Sequence, residues 1–305
     1  MRLGMIGLGK MGANMARRLR GGSVDVAGYD RDAGVTGNLA QEYGMSAASS
    51  IEDLVGQLDA PRVVWLMLPA GDITEQAIAQ LADLLSAGDV IVDGANSNFN
   101  DSMRRSVELR ERGISFIDAG VSGGIWGLQE GYALMVGGEA SAVDQLRPAV
   151  EVLAPASDRG WMHCGPAGSG HYVKMVHNGI EYGMMQAYAE GFALMKSRQD
   201  FELDLAEVAE TWRHGSVVRS WLLDLTADFL VDDQQLEDVE PFVADSGEGR
   251  WTAIEAIEQG VPTPVMSTAI MMRFASQGKL DYASKLLAMM RKGFGGHALK
   301  NRDGS

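Results

Sequence analysis

Short apolar runs alternate with stretches of helical spacing through the first half of the chain. The runs "RLGMIGL", "VDVAGYD", "RVVWLML", "DVIVDG", "ISFIDAGV" and "YALMVGG" read as strands, and the segments between them place apolar residues on one helical face. Strands alternating with helices predict a parallel sheet covered on both faces, an α/β arrangement of the Rossmann type, doubly wound. After "HCGPAGSGHY" the strand pattern stops. The remainder reads as helix after helix, rich in Ala, Leu, Met and Glu, so an all-α domain is expected to follow. The boundary is placed near residue 164, giving a dinucleotide-binding domain over 1–163 and a helical substrate-binding and dimerisation domain over 164–305. No repeat or low-complexity tract interrupts this division.

A chain of 305 residues is long enough for two cores without covalent staples. Its single cysteine, Cys164, has no partner within the chain, and the opening residues already read as a strand rather than as a leader, so a cytoplasmic protein is expected. No apolar run approaches the length of a membrane span. The net charge of −15 repels a phosphate backbone and argues against nucleic-acid binding. Any anionic ligand must therefore meet a local cluster of cations. The five histidines are scattered without metal-ligand spacing, and no metal is expected.

Within the first strand-to-helix connection, "GLGKMG" supplies Gly7, Gly9 and Gly12. In that context the first glycine permits a tight turn, the second lets backbone approach a diphosphate, and the third lets helix and strand pack closely. The next strand ends in Asp30, where a carboxylate can accept hydrogen bonds from an adenosine ribose and would repel a 2′-phosphate. NAD is therefore favoured over NADP, although the neighbouring Arg31 could pair with that phosphate. Leu8, Lys10 and Met11 in the same loop, and Leu68 and Pro69 after a later strand, are expected to line the cofactor, with Asn96 beyond the strand "DVIVDG". "DAGVSGG" exposes Ser122 and the amides of Gly123 and Gly124, donors that suit a carboxylate, though a glycine-rich connection would look the same.

The stretch "KMVHNGIEYG" sets Lys174, Asn178 and Glu181 at helical spacing, with His177 beside Asn178. On a surface helix this would be a solvated stripe. The flanking Met175, Val176, Ile180, Met184 and Met185 leave little ordinary polar surface, which favours a site in which the four polar groups converge on one small molecule.

While the first half resembles the β-hydroxyacid dehydrogenases in general, "KMVHNGIEYG" taken with "WRHGSVVRS", "GEGRWTAIEAIEQGVPTPV" and "RKGFGGH" is similar to the decarboxylating 6-phosphogluconate dehydrogenases in their short-chain form. This resemblance runs from residue 1 to about 297. It implies oxidation of carbon 3 of 6-phosphogluconate by hydride transfer to a nicotinamide, loss of carbon dioxide, and protonation of the resulting enediol at carbon 1 to give ribulose 5-phosphate. On that pattern Lys174 matches the general base and acid, which requires desolvation or a cationic neighbour to lower its pKa. Glu181 matches the acid for carbon 1, a role suited to a carboxyl kept neutral by burial. His177 and Asn178 match groups that orient the substrate, Ser122, Gly123 and Gly124 a carboxylate cradle, and Asn96 a contact to both substrate and nicotinamide. Tyr182, Arg273, Arg291 and His297 match the phosphate pocket. The tail residues come from a neighbouring subunit in the family, which implies a homodimer or a dimer of dimers.

One stretch departs from the pattern of longer members. Where they carry a lysine and a threonine, "DSGEGRWT" offers Ser246 and Glu248, followed by Arg250. Ser246 is expected to keep a hydrogen bond while Glu248 turns away from the anion. Trp212, Arg213, His214 and Arg219 are assigned to packing and pairing between helices, although His214 could approach the site, and the methionines to core filling. Two other functions remain: a β-hydroxyacid dehydrogenase acting on a related sugar acid or a small 3-hydroxy acid without decarboxylation, and a catalytically silent NAD-binding protein.

Overall fold

The six apolar runs form strands because both faces of each are covered, so successive side chains can point to opposite cores. In the computed structural model, which describes residues 1–22 and 24–295, the chain divides into two compact units, Met1–Val176 and a second from His177 onward. The first contains β1 (Arg2–Ile6), α1 (Lys10–Gly21), β2 (Asp25–Tyr29), α2 (Ala33–Tyr43), β3 (Ser46–Ala47), α3 (Ile51–Gly56), β4 (Val63–Leu66) and α4 (Asp72–Leu84). It continues with β5 (Val90–Asp93), α5 (Phe99–Arg110), β6 (Ser115–Ser122), α6 (Gly127–Glu130), β7 (Ala133–Gly138), α7 (Ala140–Leu153) and β8 (Trp161–Gly165).

These strands make one eight-stranded sheet in the order β3-β2-β1-β4-β5-β6-β7-β8. The chain thus starts in the middle, winds outward through β2 and β3, and returns to β4 on the other side of β1. Alternation within each strand feeds the two cores. Val63, Trp65, Val90 and Val92 pack under α1 and α7, while Val64, Leu66 and Ile91 pack under α3 and α4.

The sheet departs from the all-parallel expectation at one point. β7 pairs antiparallel with β6, and β8 parallel with β7. The connection from Ser122 to Ala133 holds only a 3₁₀ turn, Gly124–Trp126, and the four residues of α6. That is too short for a crossover returning to the same end of the sheet, so β7 must run back. β8 and the two-residue β3 were not among the expected strands.

From residue 169 onward the regular elements among the described residues are all helices. α8 (Ser169–Ser197) is followed by a 3₁₀ turn (Gln199–Phe201), α9 (Leu205–Arg213), α10 (Trp221–Asp232), α11 (Glu248–Glu258), α12 (Pro264–Ser276) and α13 (Asp281–Gly295). The division between the units falls inside α8, compared with residue 164 on the sequence reading. The beginning of this helix stays with the sheet because the fully buried Asp118 carboxylate accepts hydrogen bonds from the Gly168 and His171 amides at 2.6 and 2.7 Å. In the second unit Phe192, Leu205, Ala209, Leu223, Ala227 and Leu230 join α8, α9 and α10 in one core, and Tyr182, Ala269 and Ile270 join α8 and α12 in another. Arg213 pairs with Asp224 and Asp228 of α10, and Trp212 packs edge-on against Phe192, both in the structural roles expected of them. Among the described residues no helix is long and apolar enough to cross a membrane.

Candidate active site

The carboxyl ends of the parallel strands gather most of the first unit's expected ligand contacts. Gly7 follows β1 with φ of +89°, in the left-handed region that only glycine adopts at little cost, and a Cβ there would stand 2.5 Å from the Met67 carbonyl oxygen. A Cβ on Gly12 would lie 2.0 Å from the Gly7 carbonyl oxygen, so the third glycine is what lets α1 sit on β1. Gly9 is different: nothing lies within 4 Å of its would-be Cβ, and as N-cap of α1 it leaves the first amides without a side-chain acceptor. Lys10 is exposed beside it, Met11 packs against the core, and Leu8 is buried. An open backbone surface in front of uncapped helix amides fits a diphosphate.

Asp30 follows β2, and its carboxylate is held from both sides, accepting the Leu8 amide at 2.7 Å and the Asp32 amide at 2.9 Å. The acidic group thus braces the glycine turn itself. Beyond β4, Leu68 packs into the second core and Pro69 is exposed, its carbonyl accepting the buried Thr74 hydroxyl at 2.8 Å. Beyond β5, Asn96 has φ of +52° and a buried Oδ1 that accepts no hydrogen bond within the protein. The residues present fit a dinucleotide lying across the β1 and β4 ends, where the strand order reverses.

Ser122 closes β6, and Gly123 and Gly124 follow with φ of +141° and +52°. Tyr132 backs this turn: a Cβ on Gly123 would stand 3.0 Å from its ring. Burial pushes the Tyr132 hydroxyl up to about 12, so the ring is a neutral floor. Tyr132 was not anticipated, because a lone tyrosine at a strand start carries no local signal. Lys174 packs beside the same strand. It is 6% exposed, and a Cβ on Gly120 would lie 2.4 Å from Lys174 Cβ. The lysine stem therefore crosses β6 two residues before Ser122. His171, a turn earlier on α8, bonds Ser102 of α5 through Nδ1 at 2.8 Å, which ties the start of this helix to the Asn96 side of the sheet.

The second unit holds the other expected residues. His177 Nδ1 lies 3.1 Å from the Oδ1 of the buried Asn178 and 3.8 Å from Glu181. Glu181 does not have the burial expected of it, since its side chain is 39% exposed. Tyr182, Ser246 and Arg273 come together. The Arg273 guanidinium stacks 3.4 Å over the Tyr182 ring centroid while donating to the Ala244 carbonyl at 2.8 Å, and the Tyr182 hydroxyl lies 3.1 Å from Ser246 Oγ. Glu248 does not turn away. It is 8% exposed and accepts the Ser246 hydroxyl at 2.6 Å. It opens α11, where an acid is favoured by the helix dipole, and Gly247 at φ of +110° bends the chain so that this side chain meets Ser246. Because Ser246 has one hydrogen and gives it to a carboxylate, the Tyr182 hydroxyl must donate to Ser246. Arg250 pairs with Asp245 instead of joining the cluster. Arg291 is exposed on α13. His297 lies outside the described residues.

The model of the NAD binding domain of 6-phosphogluconate dehydrogenase matches residues 2–165. That of the 6-phosphogluconate dehydrogenase C-terminal domain matches residues 170–302. Over 304 residues the chain is 41% identical to the NAD(+)-dependent, decarboxylating 6-phosphogluconate dehydrogenase of Haloferax volcanii, covering 99% of this chain and 100% of that one. It is 40% identical over 301 residues to the decarboxylating 6-phosphogluconate dehydrogenase 2 of Saccharomyces cerevisiae, a longer protein of which 61% is covered by 94% of this chain. The solved 6-phosphogluconate dehydrogenase of Plasmodium falciparum, described in its apo form, with its cofactor NADP+ and with its substrate 6-phosphogluconate, superposes with a TM-score of 0.84 at 30% identity, covering 97% of this chain and 65% of that one. Two domain models in sequence, and a relative matched from end to end, place the chain in the 6-phosphogluconate dehydrogenase family.

Proposed function

We propose that the protein converts 6-phospho-D-gluconate to D-ribulose 5-phosphate and carbon dioxide while reducing NAD to NADH. The observation that carries this reading is the placement of Lys174, a buried amine packed across β6 beside the Ser122, Gly123 and Gly124 turn, on the sheet that carries the glycine loop and Asp30. The dinucleotide, when bound, supplies the hydride acceptor. Lys174 Nζ takes the proton of the carbon 3 hydroxyl, and as an ammonium it then donates to the carbonyl oxygen, which draws electrons from the breaking bond to the carboxylate. The turn amides and Ser122 hold that carboxylate. Glu181, on the same helix, delivers a proton to carbon 1, and His177 and Asn178 orient the hydroxyls. Arg273 with Tyr182 is the cationic seat for the distal phosphate.

NAD is preferred because Asp30 presents a carboxylate, fixed by two amides, where a 2′-phosphate would need a cation. Arg291 and His297 complete the phosphate seat of a neighbouring copy, so the working unit is a homodimer or a dimer of dimers. The exposed Tyr282, Leu286, Leu287, Met289 and Met290 on α13 support such a partner surface. The single cysteine, which has no partner within the chain, favours a cytoplasmic location.

Glu248, buried beside the proposed phosphate seat, favours a second reading in which the substrate is a related sugar acid without the phosphate, oxidised without decarboxylation. One assay separates the two. Purified protein is mixed with NAD and either 6-phosphogluconate or gluconate, and NADH and released carbon dioxide are followed together. Equal yields of both products from 6-phosphogluconate are expected. NADH without carbon dioxide, or turnover of gluconate alone, would overturn the first reading. Lys174→Met should remove turnover and leave NAD binding intact.

A further inference from the structure

Asn96 holds a left-handed backbone, which asparagine adopts more readily than other side-chain-bearing residues but still at a cost that its surroundings must offset. Its own carboxamide does not supply the restraint, because Oδ1 is buried and accepts no hydrogen bond within the protein. The restraint comes from both flanks. Asp93, the last residue of β5 and fully buried, accepts the Ala95 amide at 3.0 Å through Oδ1 and the Ser97 hydroxyl at 2.7 Å through Oδ2. One carboxylate thus clamps the residues before and after Asn96.

That carboxylate is in turn held by Arg105 of α5, which is 2% exposed. Arg105 Nη1 donates to Asp93 Oδ2 at 2.8 Å and to Ser97 Oγ at 3.2 Å. Its Nε and Nη2 meet Glu75 Oε2 of α4 at 2.8 and 2.7 Å, and Arg104 fastens Glu75 from outside with two further bonds of 2.9 Å. A guanidinium buried this deeply is stable only when its donors are paired, and here the pairing reaches from a surface carboxylate through two helices to one loop.

We infer that Arg105, acting through Asp93 and Ser97, is a positioning residue that fixes the backbone at Asn96 and so sets where its carboxamide lies when ligands are bound. This rests on the proposed function and on Asn96, beyond the carboxyl end of β5, contacting substrate and nicotinamide when they are bound. The cluster does not touch a ligand itself. Its effect belongs to turnover, because a small misplacement of an orienting group weakens the reacting geometry far more than it weakens the fold.

The test is a double-mutant cycle on kcat with Asn96→Ala, Ser97→Ala and the double variant. Ser97→Ala removes the bridging hydroxyl while leaving Asp93 and Arg105 paired, so no buried charge is stranded. Ser97→Ala is expected to lower kcat roughly tenfold or more in the presence of Asn96, and to cause no further loss once Asn96 is alanine. Arg105→Lys, which keeps the charge and loses the fork, should show the same dependence on Asn96. An equal loss in both backgrounds, or an unchanged kcat in Ser97→Ala, would overturn the inference, since the cluster would then serve the fold alone. Full activity in Asn96→Ala would instead refute the assignment of Asn96 on which the inference rests.

Discussion

Gly9 and Gly12 stand three residues apart in the same loop, and the structure gives them opposite jobs. An alanine at 12 would put its Cβ 2.0 Å from the Gly7 carbonyl oxygen and 3.1 Å from Met67 Cβ. Relieving a contact to backbone requires α1 to move off β1 by about 1 Å. Forced overpacking of this kind costs about 1–3 kcal/mol, and a backbone obstacle puts Gly12→Ala near the upper end. The unfolding midpoint should then fall by roughly 4–12 °C. At Gly9 the backbone is extended, with φ of −62° and ψ of −170°, and no heavy atom lies within 4 Å of a new Cβ. Losing the N-cap preference for glycine and gaining a stiffer unfolded chain are opposing effects of about 0.5–1 kcal/mol each, so Gly9→Ala should melt close to the wild type. Its methyl would, however, stand where the diphosphate must approach. NAD affinity, read by calorimetric titration, should drop at least about tenfold, or about 1.4 kcal/mol. Wild-type affinity in Gly9→Ala would refute the reading of the open surface as the diphosphate seat. A wild-type melting point in Gly12→Ala would refute the close packing of helix on strand.

Two further outcomes follow from the same kind of contact. Gly120→Ala would drive a methyl to 2.4 Å from Lys174 Cβ and 3.1 Å from the Gly170 carbonyl, so the lysine must shift with its helix. Turnover should fall at least about tenfold while NAD affinity is retained, and unchanged steady-state kinetics would separate Lys174 from the chemistry. The Arg104 guanidinium beside Glu75 holds that carboxyl below its ordinary range. A depressed carboxylate contributes stability above its unfolded value of about 4.3 and loses that contribution as pH falls through the folded value. Urea midpoints of the wild type and Glu75→Gln should therefore differ at pH 7 and draw together as the pH falls below the unfolded value and through the folded one, whereas a gap that persists in acid would show that the charge plays no part.

The strands were legible because β1, β4, β5 and β6 are apolar on both faces, a pattern that short buried strands share with little else. β8 was not, since "WMHCG" mixes exposed and half-buried positions at the edge of the sheet. The reversal at β7 was readable in principle from the length of its connection, but not from its apolar run. Among the ligand contacts, the glycine loop and "SGG" could be found because their spacing is itself the chemistry. The cluster around Arg105 could not. Asp93, Ser97, Arg105 and Glu75 come from β5, its loop, α5 and α4, and pairing across elements leaves no trace in a local pattern. Glu248 shows a related limit: its position was plain, and the direction of its side chain depends on the turn at Gly247.

Placing the diphosphate at α1 rests on more than the glycine spacing, because five helices begin at the carboxyl ends of parallel strands in this unit. α2 is capped by the Asp32 side chain, α3 by Ser50 and α5 by Asn98, so each already has an acceptor on its first amides. α4 starts from Gly71 without such a cap, but Asp72 and Glu75 lie in its first turn, and a second anion there would meet like charge. α1 alone among these five combines an N-cap without a side-chain acceptor and a first turn without an acid, and it opens on Lys10. α8 gives the contrasting case. Its start is closed by the Asp118 carboxylate, so its dipole is already answered and the helix serves to carry Lys174. Among these five helix starts, the fold thus leaves one able to receive an anion, while three carry a side-chain cap and the fourth is guarded by acids. That selectivity is why a phosphate-bearing cofactor would settle in the β1 and β4 crevice of a protein whose net charge is −15.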